Sequence, residues 1–168
     1  RALVNNALRG EDGAIQGGST ITQQLVKNSF LKPERTLRRK IRELILAVRF
    51  EQKYTKDQVL AFYLNQIPYG SNAYGIEAAS QTFFTKPAKD LTLSQAALLA
   101  ALPKAPSYYS PYGNHTEELK KRQEYILDRM ASLRFVSREE VEKAKKQKLK
   151  FSSQSYGIRA PHFVFFVR

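Results

Sequence analysis

The chain holds 168 residues, enough for one folded domain and short for two. Apolar residues make up 42% and charged residues 26%, with 8 Gly and 7 Pro, a globular balance that excludes long disorder, collagen and low-complexity arrays. Lys and Arg number 28 against 15 Asp and Glu, and the net charge of +13 calls for an anionic partner: nucleic acid, an acidic membrane surface or a phosphorylated substrate.

There is no cysteine, which removes a disulfide framework, a thiolate zinc site and a Cys nucleophile. His115 and His162 are the two histidines, too few for a three-histidine metal centre. The longest apolar run, Ala96 to Leu102, falls far short of the roughly 20 residues that span a bilayer. No signal peptide is legible, and the chain starts at Arg1 inside a helical pattern, as an excised piece would.

Helix signals dominate. Gly17-Gly18 breaks the chain, and Thr20 with Gln23 fits a capping box that opens a helix to about Asn28. After Pro33, Leu37, Ile41, Leu44, Ile45 and Val48 fall on one stripe of an amphipathic helix. Thr55 and Gln58 form a second box, leading a helix through Val59, Leu60, Tyr63 and Leu64 to a turn at Pro68-Tyr69-Gly70. A short helix is expected from Gly75 to Phe84. Thr92 and Gln95 then cap an Ala/Leu-rich helix that is apolar all round and therefore belongs in a core.

Pro103, Pro106 and Pro111, interleaved with three tyrosines, mark a non-helical loop. Leu119, Ile126, Leu127, Met130 and Leu133 trace a long amphipathic helix, and Ser137 with Glu140 caps another. Only the tail changes character, with His162 to Val167 reading as a strand. The expected class is mainly α, one compact helical domain over residues 1–150 with a short C-terminal strand.

Two clusters carry chemistry. Arg35, Arg38, Arg39, Lys40 and Arg42 precede a single carboxylate, Glu43. On a helix Glu43 lies about 120° from Leu37, away from the apolar stripe, with Arg39 and Lys40 one turn below it. Arg35, Arg39 and Glu43 form a ridge about 12 Å long. One reading is a solvated face with weak ion pairs; the other is an anion site, because five cations sharing one acid repel one another unless an anion sits among them.

In the second cluster, Gly17-Gly-Ser-Thr-Ile-Thr-Gln-Gln-Leu-Val-Lys27, glycines lead into a helix N-terminus whose N–H groups and dipole favour an anion. An ordinary capped helix is the competing reading, and Lys27 lies too far along the helix for a P-loop. Glu11-Asp12 reads as a solvated loop pair, and neither histidine is given a catalytic role.

In this order the clusters resemble signatures of the peptidoglycan glycosyltransferase domain (glycosyltransferase family 51) of class A penicillin-binding proteins. Gly18 to Gln24 resembles its second signature and Arg39-Lys40-Ile-Arg-Glu43 its third. Lys56 to Asn65 resembles the fourth, and Arg122 to Leu127 the fifth. The resemblance implies a lysozyme-like α fold and an enzyme of cell-wall synthesis at the outer face of the cell membrane. Its partners would be lipid II, the growing lipid-linked glycan and the membrane surface, with an anchor upstream and no nucleic acid.

Ala160-Pro-His-Phe-Val164 resembles the start of a linker toward a fused transpeptidase domain, so residues 151–168 are assigned to that linker. By the same resemblance Glu43 is the catalytic carboxylate. Ser19, Thr20, Gln23, Gln24, Lys27, Arg35, Arg39, Lys40 and Asn65 bind substrate. No cofactor is required, a divalent cation (Mg or Mn) is optional, and no metal ligand is assigned.

The chain departs from the pattern twice. The first signature, with the glutamate held to be the general base, is expected before Arg1, so the chain alone is expected to be nearly inactive. Ala61 stands where the fourth signature usually has Glu. Two other functions compete. A lysozyme-like glycan-cleaving enzyme would need two carboxylates around the sugar bond, and a basic nucleic-acid-binding helical module has only the net charge in its favour.

Overall fold

The computed structural model describes residues 19–31, 34 and 36–153. Arg35, the apolar positions Ala2, Leu3, Val4, Ala7 and Leu8, and the expected strand at His162 to Val167 with its linker all lie outside the described residues. The described chain is mainly α and divides into two compact units, Arg1–Glu77 and Ala78–Arg168.

In the first unit α1 (Ile21–Phe30) packs against both α2 (Leu37–Lys53) and α3 (Lys56–Gln66). Each helix starts at a threonine whose hydroxyl takes up an otherwise orphaned backbone donor. Thr20 accepts from the Gln23 N–H at 3.2 Å and Thr36 from the Arg39 N–H at 3.2 Å. Thr55 accepts from the Gln58 N–H at 3.3 Å. Gln23 and Gln58 return the bond, completing the two boxes legible in the sequence.

Leu25 and Val26 of α1, Ala47 of α2 and Val59 of α3 are buried. Phe50 and Tyr54 bring their rings to 4.5 Å, and Phe62 of α3 stands edge-on to both.

Leu37, Ile41, Leu44, Ile45 and Val48, the apolar stripe legible in the sequence, are 49–84% exposed. The face of α2 that is buried instead carries Glu43 and Ala47. Ala47 has no bulk to hold α1 away, and Glu43 enters the interior already neutralised by its neighbours. Periodicity reports which face is apolar, not which face finds a partner.

After α3 the chain makes a two-stranded antiparallel hairpin, β1 (Pro68–Gly70) with β2 (Ala73–Tyr74). Ser71 and Asn72 between them have φ of 50° and 58°, the pair of positive values that a tight primed turn demands. The turn expected at Pro68-Tyr69-Gly70 is therefore the first strand of this hairpin. Tyr69, 1% exposed, pins it to the interior, where burial pushes its phenol well above the usual tyrosine range. Gly75 is required where it stands: its φ is +83°, and a Cβ there would lie 2.6 Å from the Asn65 carbonyl oxygen.

The second unit takes up most of α4 (Ile76–Phe84), followed by α5 (Leu93–Ala101), α6 (Thr116–Ser132) and α7 (Arg138–Lys146). α5 packs on α6, and α7 packs on both. Leu98, Leu99, Ala101 and Leu102 are almost fully buried, so the helix read as apolar all round is a core helix. Pro103, expected in a non-helical loop, sits in a single 3₁₀ turn, Leu102–Lys104. Ala97, Leu127, Val141 and Ala144 form one apolar cluster. Beside it the buried Gln123 amide donates to the Ser94 carbonyl at 2.7 Å and to its hydroxyl at 2.9 Å, so no polar cost is left open.

Leu127 is fully buried at the centre of that cluster. Leu127→Ala is expected to lower the unfolding free energy by about 2–5 kcal/mol in urea titrations. The exposed Leu133→Ala, made in parallel, is expected to change it by less than about 0.5 kcal/mol.

Candidate active site

The site is built on α2. Arg39, Lys40 and Glu43 are separated by four and three positions, so all three share one face of the helix. The Arg39 Nη1 donates to Glu43 Oε2 at 2.8 Å, and the Lys40 Nζ donates to Glu43 Oε1. Glu43 is only 1% exposed. A solvated ion pair contributes little and leaves its carboxylate in water. A carboxylate removed from water and held by two cations is a different object, because its charge must be compensated locally or the fold pays for it.

Each cation has a second bond. Lys40 Nζ donates to the Ser19 hydroxyl at 3.1 Å, tying the segment that leads into α1 to the first turns of α2. Arg39 Nε donates to the backbone carbonyl of Glu34. Arg39 is thereby clamped between Glu34 and Glu43.

Arg39 also faces a cleft of about 590 Å³ within the first unit. Lys27, Asn28 and Leu31 at the end of α1 form one wall, Arg39 and Glu34 the base of α2, and Gln66, Pro68 and Tyr74 the side toward the hairpin. Two cations from neighbouring helices therefore look into one groove, with a third, Lys40, behind them on Glu43. Such an arrangement suits an anion larger than a single carboxylate, since preplaced donors need no reorganisation when charge arrives.

The remaining sequence candidates are placed as follows. Thr20 and Gln23 spend their side chains on the capping box. Gln24 accepts from the Tyr63 hydroxyl at 3.4 Å, linking α1 to α3. Asn65 donates its amide to the Ala61 carbonyl at 2.9 Å, one turn back in α3. Lys27 and Arg39 share the cleft, Ser19, Lys40 and Glu43 form the network beside it, and Arg35 lies outside the described residues.

Sequence reasoning missed Glu34, which lies between Leu31 and Arg39 in the chain, and Gln66 and Tyr74, which reach the cleft only through tertiary folding. It also missed the bond from the buried Thr22 hydroxyl to Glu51 Oε1 at 2.5 Å, which locks α1 to α2. No spacing rule flags any of them.

Both Glu43 oxygens are engaged by cations, Glu34 is the one carboxylate among the described residues that line the cleft, and among the described residues no group of three His, Asp or Glu is suited to a metal.

Comparison with known proteins gives a consistent picture. The family model described as "Transglycosylase" matches residues 1–131. Penicillin-binding protein 1A of Aquifex aeolicus is 47% identical over 160 residues, covering 90% of this chain and 22% of that protein. Its namesake from Pseudomonas aeruginosa is 45% identical over 152 residues, covering 90% of the chain and 18% of that protein. The crystal structure of penicillin-binding protein 1A from Haemophilus influenzae matches with a TM-score of 0.54 at 29% identity, over 88% of this chain and 18% of that one. The chain thus spans about a fifth of the length of these relatives.

The network makes an asymmetric prediction. Arg39→Met with Lys40→Met leaves Glu43 buried and unpaired and is expected to cost about 3–5 kcal/mol of stability. Glu43→Gln leaves two cations that still reach water and is expected to cost about 1–2 kcal/mol. Urea unfolding of the two variants reads the difference.

Proposed function

Because this chain belongs to the transglycosylase family, we propose that it is a peptidoglycan glycosyltransferase domain extending a lipid-linked glycan in cell-wall synthesis, at the outer face of the cell membrane. The observation that carries this reading is the buried Glu43 with Arg39 and Lys40 beside a cleft that also receives Lys27. Family membership, the basic cleft and the matching order of the signatures support it.

In the proposed reaction, the acceptor's sugar 4-hydroxyl oxygen bonds to the anomeric carbon of the growing chain. The bond from that carbon to the lipid diphosphate breaks, and its electron pair leaves with the diphosphate. The hydroxyl proton goes to a general base, for which the family resemblance points to a glutamate of the first signature. This chain supplies the leaving-group side. Lys27 and Arg39 meet the diphosphate as its charge grows, each removable donor being worth on the order of 10²–10³ in rate.

Glu43 acts as a positioning residue. Its two oxygens fix the heads of Arg39 and Lys40, so their charge is aimed before substrate arrives. No step is routed through a metal. A transpeptidase domain downstream, as in class A penicillin-binding proteins, and a membrane anchor upstream complete the proposed protein, with residues 1–150 as the transferase domain and 151–168 as linker.

Glycan cleavage by a lysozyme-like route fits less well. It needs two available carboxylates astride the sugar bond, whereas Glu43 has both oxygens engaged.

In a longer protein that includes the first-signature glutamate, Glu43→Gln is expected to abolish glycan polymer from lipid II, read on a gel of the chains. Lys27→Ala is expected to slow polymerisation about 100-fold or more. Polymer of normal length and rate from the Glu43→Gln protein would remove Glu43 from the mechanism. Soluble fragments released from finished peptidoglycan would favour the hydrolase. The 168-residue chain alone is expected to make almost no polymer, and brisk polymerisation by it would place the general base within these residues.

A further inference from the structure

The second unit has a groove of its own, of about 560 Å³, which the proposed chemistry does not use. It runs between the N-terminal half of α6 and the segment that follows α7. Its floor is apolar, made by Leu98, Leu119, Leu149 and Phe151. Around the rim stand Lys120, Lys145, Lys146 and Lys148. Lys145 is compensated, donating to Asp128 at 2.7 Å with Glu142 at 3.7 Å.

Lys120, Lys146 and Lys148 have no ion-pair partner among the described residues. Lysines at the end of α7 are favoured by the helix dipole, and that accounts for Lys146. It does not account for Lys120, which sits near the N-terminal end of α6, where the dipole opposes a cation. Three of the four rim lysines therefore stand without an ion pair among the described residues, with Glu117 and Glu118 nearby in the first turn of α6.

One wall of the groove is the segment after α7, residues 148–151, which belongs to no helix or strand. From Lys148 to Phe151 exposure alternates, with both lysines exposed and Leu149 and Phe151 half-buried on the groove side, the period of a β-strand. Among the described residues the N–H groups of 148–151 have no backbone acceptor, whereas the next one, of Ser152, donates to the Phe83 carbonyl at 2.9 Å. Residues 154–168 contain two Arg and no Asp or Glu, so this stretch brings no carboxylate to the rim.

An apolar floor, an uncompensated cationic rim and an open backbone edge occur together. A free anion would use only the rim, and a lipid surface would use neither the edge nor so narrow a floor. A peptide uses all three. We propose that this groove binds an extended acidic segment of a partner protein. The segment adds as a strand along residues 148–151, seats an apolar side chain on Leu149 and Phe151, and pairs carboxylates with Lys120, Lys146 and Lys148.

The test uses the 168-residue chain and a fluorescein-labelled six-residue peptide that alternates Glu with Leu. Fluorescence anisotropy is expected to show saturable binding that weakens with salt. A peptide alternating Lys with Leu is expected not to bind. K120E/K148E, at two exposed positions, is expected to keep its melting temperature, to lose the acidic peptide about tenfold or more and to gain the basic one, since like charges across an interface are penalised. Methylating alternate amides of the acidic peptide is expected to abolish binding, as strand addition requires. Undiminished binding to K120E/K148E, equal binding of both peptides, indifference to amide methylation or full displacement by inorganic phosphate each overturns the proposal. The groove lies outside the cleft that holds Lys27 and Arg39, so these outcomes leave the transferase assignment untouched.

Discussion

A carboxylate that has left water organises the first unit. Glu43 is nearly inaccessible, and its burial is tolerable only because Arg39 and Lys40 meet both oxygens. From that constraint follow the rotation of α2 about its axis, the approach of α1 over Ala47 and the anchoring of Ser19 to Lys40. Arg39 is then fixed from two sides, by Glu43 and by the Glu34 carbonyl. A guanidinium held in this way is a preorganised donor, since little side-chain entropy remains to be lost when an anion binds.

The same constraint explains why charge crowding is tolerated at the head of α2. Five cations over residues 35–42 would repel one another on an open helix. In the fold two of them are spent on the buried carboxylate, and Arg39 still shows part of its surface to the cleft. A group that neutralises an acid on one side and addresses a groove on the other serves structure and chemistry together. Lys27 arrives from the neighbouring helix, so the groove depends on the α1–α2 contact that Thr22 and Glu51 help to secure.

The second unit is stabilised by more ordinary means. Its core is built from Leu98, Leu99, Leu102, Leu127 and Val141, and the buried Gln123 amide is satisfied by Ser94. Its unusual feature lies at its surface, where an apolar groove and a row of uncompensated lysines share an open backbone edge. Where the first unit buries charge by pairing it, the second leaves charge exposed around an apolar floor. That contrast separates a site whose buried charge is paired from a surface whose lysines stand open.

The amino-acid order alone determined the local structure and the chemical inventory. Thr20, Thr55, Thr92 and Ser137 with their Gln or Glu three positions on cap helices as read, because those bonds close within one turn of chain. The placing of Arg39, Lys40 and Glu43 on one face is likewise a matter of helical geometry. Tertiary structure decided what each face meets. The apolar stripe from Leu37 to Val48 stays exposed, and α2 buries Glu43 and Ala47 instead. Gln66 and Tyr74 come to the cleft across long stretches of chain. Periodicity encodes how a helix is divided, whereas packing partners are settled by competition among all faces at once, and a pre-neutralised carboxylate can win a place that its residue type would not predict.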